Sequence, residues 1–254
     1  ALTVDVADDT DNAFALTAAA VKSLIVTGDG ALPVTNDIGD SDLAAVTSFD
    51  ASAAGGHINV AVDGSGITDV DTGSAGDMLH IKTSAANAAY DTNGGNDTVE
   101  IDDFASGAVL NTGSGGDKIE LDAALTASDQ KIDGGDGSDT LEVTEDVTAG
   151  DYDNIETLEI SGDGTVNLGL FDSDLETVEV ARNTDVVLQM VKSSLDIEVG
   201  EGSTLDIESG TGSTASFIVG GEATISNDTT GTEVEDLKIN FTDSTATTLT
   251  LTGT

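Results

Sequence analysis

The sequence predicts an all-β protein, an elongated β-solenoid or β-roll wound from coils of about 20 residues, with glycine-rich acidic turns along one edge. Three observations predict it. Short Val/Ile/Leu runs alternate with polar residues at period two, as strands with one buried face do. The runs recur at a near-constant interval to the end of the chain, and self-similarity at a fixed period marks stacked repeats. The composition forbids one compact core: the 254 residues include 38% hydrophobic side chains, much of them Ala, 3% aromatics and no Trp, against 30 Gly and 1 Pro. Large side chains are too few to fill a single interior.

The repeat is clearest in segments 71–79, 91–99, 111–119 and 133–141. Each opens on Asp or Asn (Asp71, Asp91, Asn111, Asp133) and carries an Asp six positions later (Asp77, Asp97, Asp117, Asp139), at intervals of 20, 20 and 22. Alternating apolar pairs follow: Leu79/Ile81, Val99/Ile101, Ile119/Leu121 and Leu141/Val143. A solenoid requires Leu79, Val99, Ile119 and Leu141 to stack inward on adjacent rungs. Runs starting at Ile155, Leu175 and Leu195 lie 20 apart without the complete acidic turn, and those from Leu24 and Leu43, 19 apart, are assigned to the same class. About twelve coils fit, giving an axis of roughly 60 Å at about 4.8 Å per rung. Helical spacing occurs only over 12–22, where Ala13, Phe14, Leu16, Ala18 and Val21 share a face; a strand or a cap fits there as well. Three zones result, 1–70 with an N-terminal cap, 71–145 with acidic turns, and 146–254, forming one continuous right-handed solenoid. Ala1 in place of an initiating Met reads as a processed chain or a piece of a longer one.

Charge narrows the function. Asp and Glu number 49 against 7 Lys+Arg, a net charge of −42. Nucleic acid and acidic membrane surfaces need a basic footprint that this chain lacks. No cysteine is present, so disulfides, thiolate metal sites and cysteine nucleophiles are excluded. No apolar run is long enough for a membrane-spanning helix, so no membrane insertion is expected.

The turns suit a hard cation. Segment 134–142 matches the nine-residue repeat G-G-x-G-x-D-x-U-x at every specified position. Ca²⁺ takes six to eight oxygen ligands, more than one short turn supplies, and stacked turns can share an ion. Glycines admit the backbone conformations that bring carbonyls together, and the Asp adds a carboxylate. The expected ligands are Asp77, Asp97, Asp117 and Asp139, with Asp71, Asp91, Asn111, Asp133 and Asp136 and turn carbonyls completing the shells of about three ions. Ala75 replaces a glycine and Asn111 carries no charge, which weakens the outer sites. Gly/Asp/Asn-rich turns also end strands in β proteins that bind no metal, and that alternative stays open here.

The calcium-type turns and the plainer rungs together resemble the RTX-type repeat proteins of Gram-negative bacteria, especially the calcium-dependent surface-layer proteins exported by type I secretion. Segments 23–30 and 46–60, the latter containing Phe49-Asp-Ala-Ser and Gly55-Gly, look like the strand, Asp-Ala-Ser, Gly, strand rungs of that family. The resemblance implies a secreted, extracellular, calcium-folded structural protein of the cell surface. Its partners would be copies of itself and cell-surface polysaccharide or lipopolysaccharide, with an export signal near 242–254. A solenoid's last rung is an open edge that templates another chain, while a highly charged protomer repels its copies unless divalent ions intervene. Calcium would then switch on assembly into a layer or filament. The alternatives are a stalk or binding segment of a large secreted adhesin, and a polysaccharide-modifying solenoid enzyme.

Catalytic residues are not assigned. His57 and His80 are the only histidines and both lie in strand-like runs; Arg182 is the only arginine. The aromatics Phe14, Phe49, Tyr90, Phe104, Tyr152, Phe171, Phe217 and Phe241 show no common phase in the sequence. Glu156, Glu159, Glu176, Glu179 and Glu198 read as solvated strand faces. Two separated histidines also leave no expectation of a transition-metal site.

Overall fold

The computed structural model describes residues 1–6, 15–34, 37–192 and 195–207, and beyond them the strands Gly210–Thr211, Thr214–Val219, Ala223–Asn227, Asp236–Phe241 and Leu249–Gly253. Partner strands lie a whole coil of about 20 residues apart, which supplies the long connection that parallel pairing needs, because each coil returns to the same edge one rung further on. All strand pairs described are parallel, and they form a β-solenoid. Sheet I contains eight strands, from Leu2–Asp5 to Asp151–Asp153; sheet II contains eleven, from Leu32–Pro33 to Asp236–Phe241. Ten intervals of about 4.8 Å give sheet II a length of about 50 Å. Sheet III, five strands from Gly164–Asn167 to Leu249–Gly253, opens where sheet I ends. The bridge Tyr152↔Phe171 extends sheet I by one rung, and Val147↔Val166 does the same for sheet III. Among the described residues the only helical turn is Leu168–Leu170. Of the stretch 12–22, residues 15–22 contain no helix, and 12–14 lie outside the described residues.

Period two places the core. On sheet II, Val60, Leu79, Val99, Ile119, Leu141, Leu158, Val178 and Ile197 are register partners, all buried. A second inward file runs from Val62 through Ile81, Ile101, Leu121, Val143, Ile160 and Val180 to Val199. The expected stacking of Leu79, Val99, Ile119 and Leu141 is thus present. The longer third interval of the repeat arises in the loop between Leu121 and Lys131, away from the acidic turns. There buried Gln130 accepts hydrogen bonds from the Thr126 and Ala127 amides at 2.8 and 2.7 Å and donates to the Phe104 carbonyl, which pins the longer connection.

Two expectations are corrected. Leu24 does not pair with Leu43; its partner is Phe49, and the register shifts further along the pair, between Ile25 and Thr27. Leu43 is buried from a turn, since 41–45 forms no strand. Four of the aromatics share a phase: sheet I's inward file is Leu24, Phe49, Val70, Tyr90, Leu110, Ile132, Tyr152, and the bridge adds Phe171; Phe217 and Phe241 lie on strands of sheet II, and Phe14 lies outside the described residues. Tyr90 packs on Phe104 at 6.1 Å between centroids and Tyr152 stacks on Phe171 at 4.7 Å. These rings sit in the interior, so they offer no outer platform to a sugar.

Tyr90 donates to the Ser84 hydroxyl at 3.2 Å, whereas the Tyr152 hydroxyl is buried without a partner, and burial pushes its phenol up. An unmade hydrogen bond in the core costs about 1–3 kcal/mol. Tyr152→Phe should therefore stabilise the protein by about 1 kcal/mol, read as a raised urea midpoint at unchanged slope. A lowered midpoint would show that the hydroxyl contributes to folding.

Candidate metal centre

Before four successive sheet II strands the backbone carbonyl of each turn aspartate pairs with the next rung, as that of Asp77 does with the Thr98 amide, and the aspartate's own amide is left for a side chain. Asp side chains take that place. The Ile58 amide donates to Asp77 Oδ1 at 2.7 Å, Asp77 to Asp97 at 2.7 Å, Asp97 to Asp117 at 2.7 Å, Asp117 to Asp139 Oδ1 at 2.8 Å, and Asp139 to Glu156 Oε2 at 2.7 Å. The result is a ladder in which every rung's carboxylate caps the preceding rung. Asp77, Asp97, Asp117 and Asp139 are all at most 2% exposed. Glu156 ends this ladder and is not the solvated residue that period two suggests; the match of Glu156-Thr-Leu-Glu to Asp139-Thr-Leu-Glu is the signal available in the sequence.

A parallel ladder runs beside it. The Thr72 hydroxyl donates to the Thr92 carbonyl at 3.2 Å, Thr92 to the Thr112 carbonyl at 3.0 Å, and Thr112 to the Gly134 carbonyl at 2.7 Å. At the first rung Gly73 donates to Asp77 Oδ2 at 2.8 Å, and His57 Nδ1 lies against the Gly76 carbonyl. Glycine is required where turns touch. A Cβ on Gly113, at φ +94°, would stand 1.8 Å from the Asn93 carbonyl oxygen.

The ladder leaves three oxygens unmatched. Oδ2 of Asp97, Asp117 and Asp139 is buried and has no hydrogen-bond donor. Burial raises all four Asp carboxyls above the usual carboxylate range, Asp97 and Asp139 to about 6, against the lowering effect of the amides that they cap and, at Asp77, Asp97 and Asp117, of the nearby Thr72, Thr92 and Thr112 hydroxyls, whose own hydrogen bonds go to backbone carbonyls. A buried carboxylate oxygen without a donor is completed by a proton or a cation. The donor set, one carboxylate oxygen per rung amid glycine-turn carbonyls, is the hard-oxygen chemistry that Ca²⁺ prefers.

The nine expected ligands do not form one convergent set. Asp71, Asp91, Asn111 and Asp133 belong to a separate outer file of sheet I, together with Asp50 and Asp153. There Asn111 Nδ2 donates to Asp91 at 3.4 Å, Asn154 Nδ2 donates to Asp133 at 2.6 Å, and Lys131 bridges Asp133 and Asp153 at 3.4 and 2.6 Å. Asp71 is pushed up to about 6 by burial and by Asp69, Asp50 and Asp91. Asp136 is exposed, its amide donating to the Gly113 carbonyl. Among the described residues no three of these carboxylates lie within 4.8 Å of one another. An ion in the turns would therefore be held by the ladder carboxylates and backbone carbonyls.

Comparison with protein-family models, curated proteins and solved structures finds no match for this chain. No helix among the described residues is long and apolar enough to cross a membrane.

Proposed function

We propose that this chain is an extracellular calcium-dependent structural protein that self-assembles into a surface layer or filament. The observation that carries the proposal is the trio of buried, donorless oxygens on Asp97, Asp117 and Asp139. Calcium at the turns would supply the charge that the carboxylates lack and tie consecutive rungs, with ligation by Asp97, Asp117 and Asp139 and the turn backbone. Outside the cell such a site fills at the millimolar concentrations that suit extracellular calcium modules.

Assembly is supported by the outer face of sheet II. Glu100, Glu120, Glu142, Glu159, Glu179 and Glu198 stand in one register file, about 4.8 Å apart. Lys118 bridges Glu120 and Glu142 at 3.0 Å each. Burial and the flanking Glu159 and Glu198 raise the Glu179 carboxyl. A second copy approaching this face meets repulsion that divalent ions relieve. The same straight stack would serve as a spacer, and on that reading the chain is a stalk of a large secreted adhesin resembling the RTX proteins.

Urea unfolding followed by circular dichroism in EDTA and in millimolar calcium tests the calcium step: the midpoint should rise with calcium, and identical midpoints would end the proposal. Electron microscopy of the calcium-loaded protein tests the assembly step. Sheets or filaments are expected; monodisperse rods at millimolar calcium would overturn self-assembly in favour of the stalk.

A further inference from the structure

The outer face of sheet II carries a second constellation, distinct from the turns. His80 lies on the strand Met78–Thr83 and is the register partner of Glu100 on Thr98–Ile101; Asp102 follows Glu100 by two positions and so returns to the same face. His80 Nε2 is 2.9 Å from Asp102 Oδ2, and Nδ1 is 3.6 Å from Glu100 Oε2. One ligand atom from each of the three lies within 4.8 Å of the others. The imidazole is only 24% exposed, whereas the two carboxylates are 44% exposed, so each nitrogen of a held ring faces one adjustable carboxylate, Nε2 that of Asp102 and Nδ1 that of Glu100.

Lys82 is a neighbouring cation whose charge is felt at Asp102. Lys82 donates to Asp37 at 2.8 Å, which draws its ammonium toward that residue. Glu120, next in the file, is held by Lys118 at 3.0 Å. On the other side the file position is Ala61, which presents no charge.

We propose that His80, Glu100 and Asp102 bind a borderline divalent cation of the Zn²⁺ or Co²⁺ class and thereby clamp two consecutive rungs. Zinc bonds to imidazole nitrogen and carboxylate oxygen of about 2.0–2.2 Å, set between a right angle and the tetrahedral angle, separate the donor atoms by about 2.9–3.4 Å. The Nε2–Asp102 distance falls within that range; an ion on Nε2 takes Glu100 when its carboxylate rotates from the Nδ1 side, within the 4.8 Å that already spans one donor atom of each residue. An imidazole nitrogen selects such metals over calcium, so the site is chemically separate from the oxygen-only turns and stands independently of the function proposed above. Three protein ligands leave further coordination positions open.

The test is a zinc titration of the full chain in excess calcium, followed by calorimetry and by NMR of the imidazoles, which only two histidines contribute. One equivalent of zinc should shift the His80 ring and leave His57 unmoved. His80→Ala should abolish that binding step, and Glu100→Gln or Asp102→Asn should each weaken it at least tenfold, while Glu120→Gln leaves it unchanged. Calcium-dependent circular dichroism checks that each variant folds. Zinc that shifts His57 in place of His80, fails to shift either ring, or binds His80→Ala as tightly as the unmodified chain would overturn the proposal.

Discussion

Asp117→Ala should destabilise the calcium-free protein by about 2–3 kcal/mol, whereas Asp117→Asn should cost little or nothing under the same conditions. Asp117 stands mid-ladder: its Oδ1 accepts the Asp97 amide at 2.7 Å, and its own amide donates to Asp139. Alanine leaves the buried Asp97 amide without an acceptor, and a lost bond to a charged group costs about that much. Asparagine keeps an oxygen for the amide and removes a buried charge whose second oxygen has no donor. Calcium should reverse the comparison. An ion of extracellular-module affinity, with Kd about 10⁻⁴ to 10⁻³ M, adds about 1.4–2.7 kcal/mol at about 10 mM. Asparagine, lacking the charge, should forfeit most of it. Urea unfolding of the three proteins with and without calcium measures both effects. Equal calcium responses of the unmodified chain and the Asp117→Asn variant would remove the ladder from the metal site, and an alanine variant as stable as the unmodified chain would remove its structural role.

The parts of the molecule legible in the sequence are those fixed by local chemistry. The turn motif sets the phase of the strand that follows, so spacing alone assigns Leu79, Val99, Ile119 and Leu141 to one inward file. Sheet I is harder to read, because its file from Leu24 to Phe171 advances by unequal steps, a long one from Leu24 to Phe49 and a short one from Tyr152 to Phe171. Loops of changing length hide a common phase, which is why Phe49, Tyr90, Tyr152 and Phe171 show none in the sequence. Leu43 shows the converse: an apolar residue buried from a turn is indistinguishable in sequence from one buried on a strand. At the turns the sequence picks out the carboxylates but not their partners. That Asp97 caps Asp77, or that His80 meets Glu100 and Asp102, follows from register between successive rungs. No local pattern encodes that register.

Stability of the calcium-free protein should fall as the pH rises from 5 to 7.5. Asp97 and Asp139 sit at about 6, raised first by burial and then by neighbouring carboxylates, Asp117 and Asp77 around Asp97, and Asp117, Glu156 and Asp133 around Asp139. Unfolded, each titrates near 3.8. Between those values the folded chain binds more protons than the unfolded chain, so stability is greatest below the window and is lost as the pH climbs through it. Each group contributes about 3 kcal/mol at full shift. Only the part of each shift above pH 5 is lost in this range, about 1.4 kcal/mol per group and about 2–3 kcal/mol together, because the two titrate through shared neighbours. Glu142, lowered by Lys118, opposes the trend only at more acid pH. Saturating calcium should flatten the profile, since the ion binds the deprotonated carboxylates and displaces the protons that stabilised the calcium-free ladder. Urea midpoints in EDTA at pH 5.0, 6.0 and 7.5 decide the matter, with the Asp97→Asn, Asp139→Asn double variant as the internal control. The double variant should lose a substantial part of the slope, the raised carboxyls of Asp71, Asp77, Asp117 and Glu179 keeping the rest. A calcium-free midpoint that stays level or rises across this range would mean that these carboxyls are ionised in the folded ladder, with their charge balanced by something other than a proton.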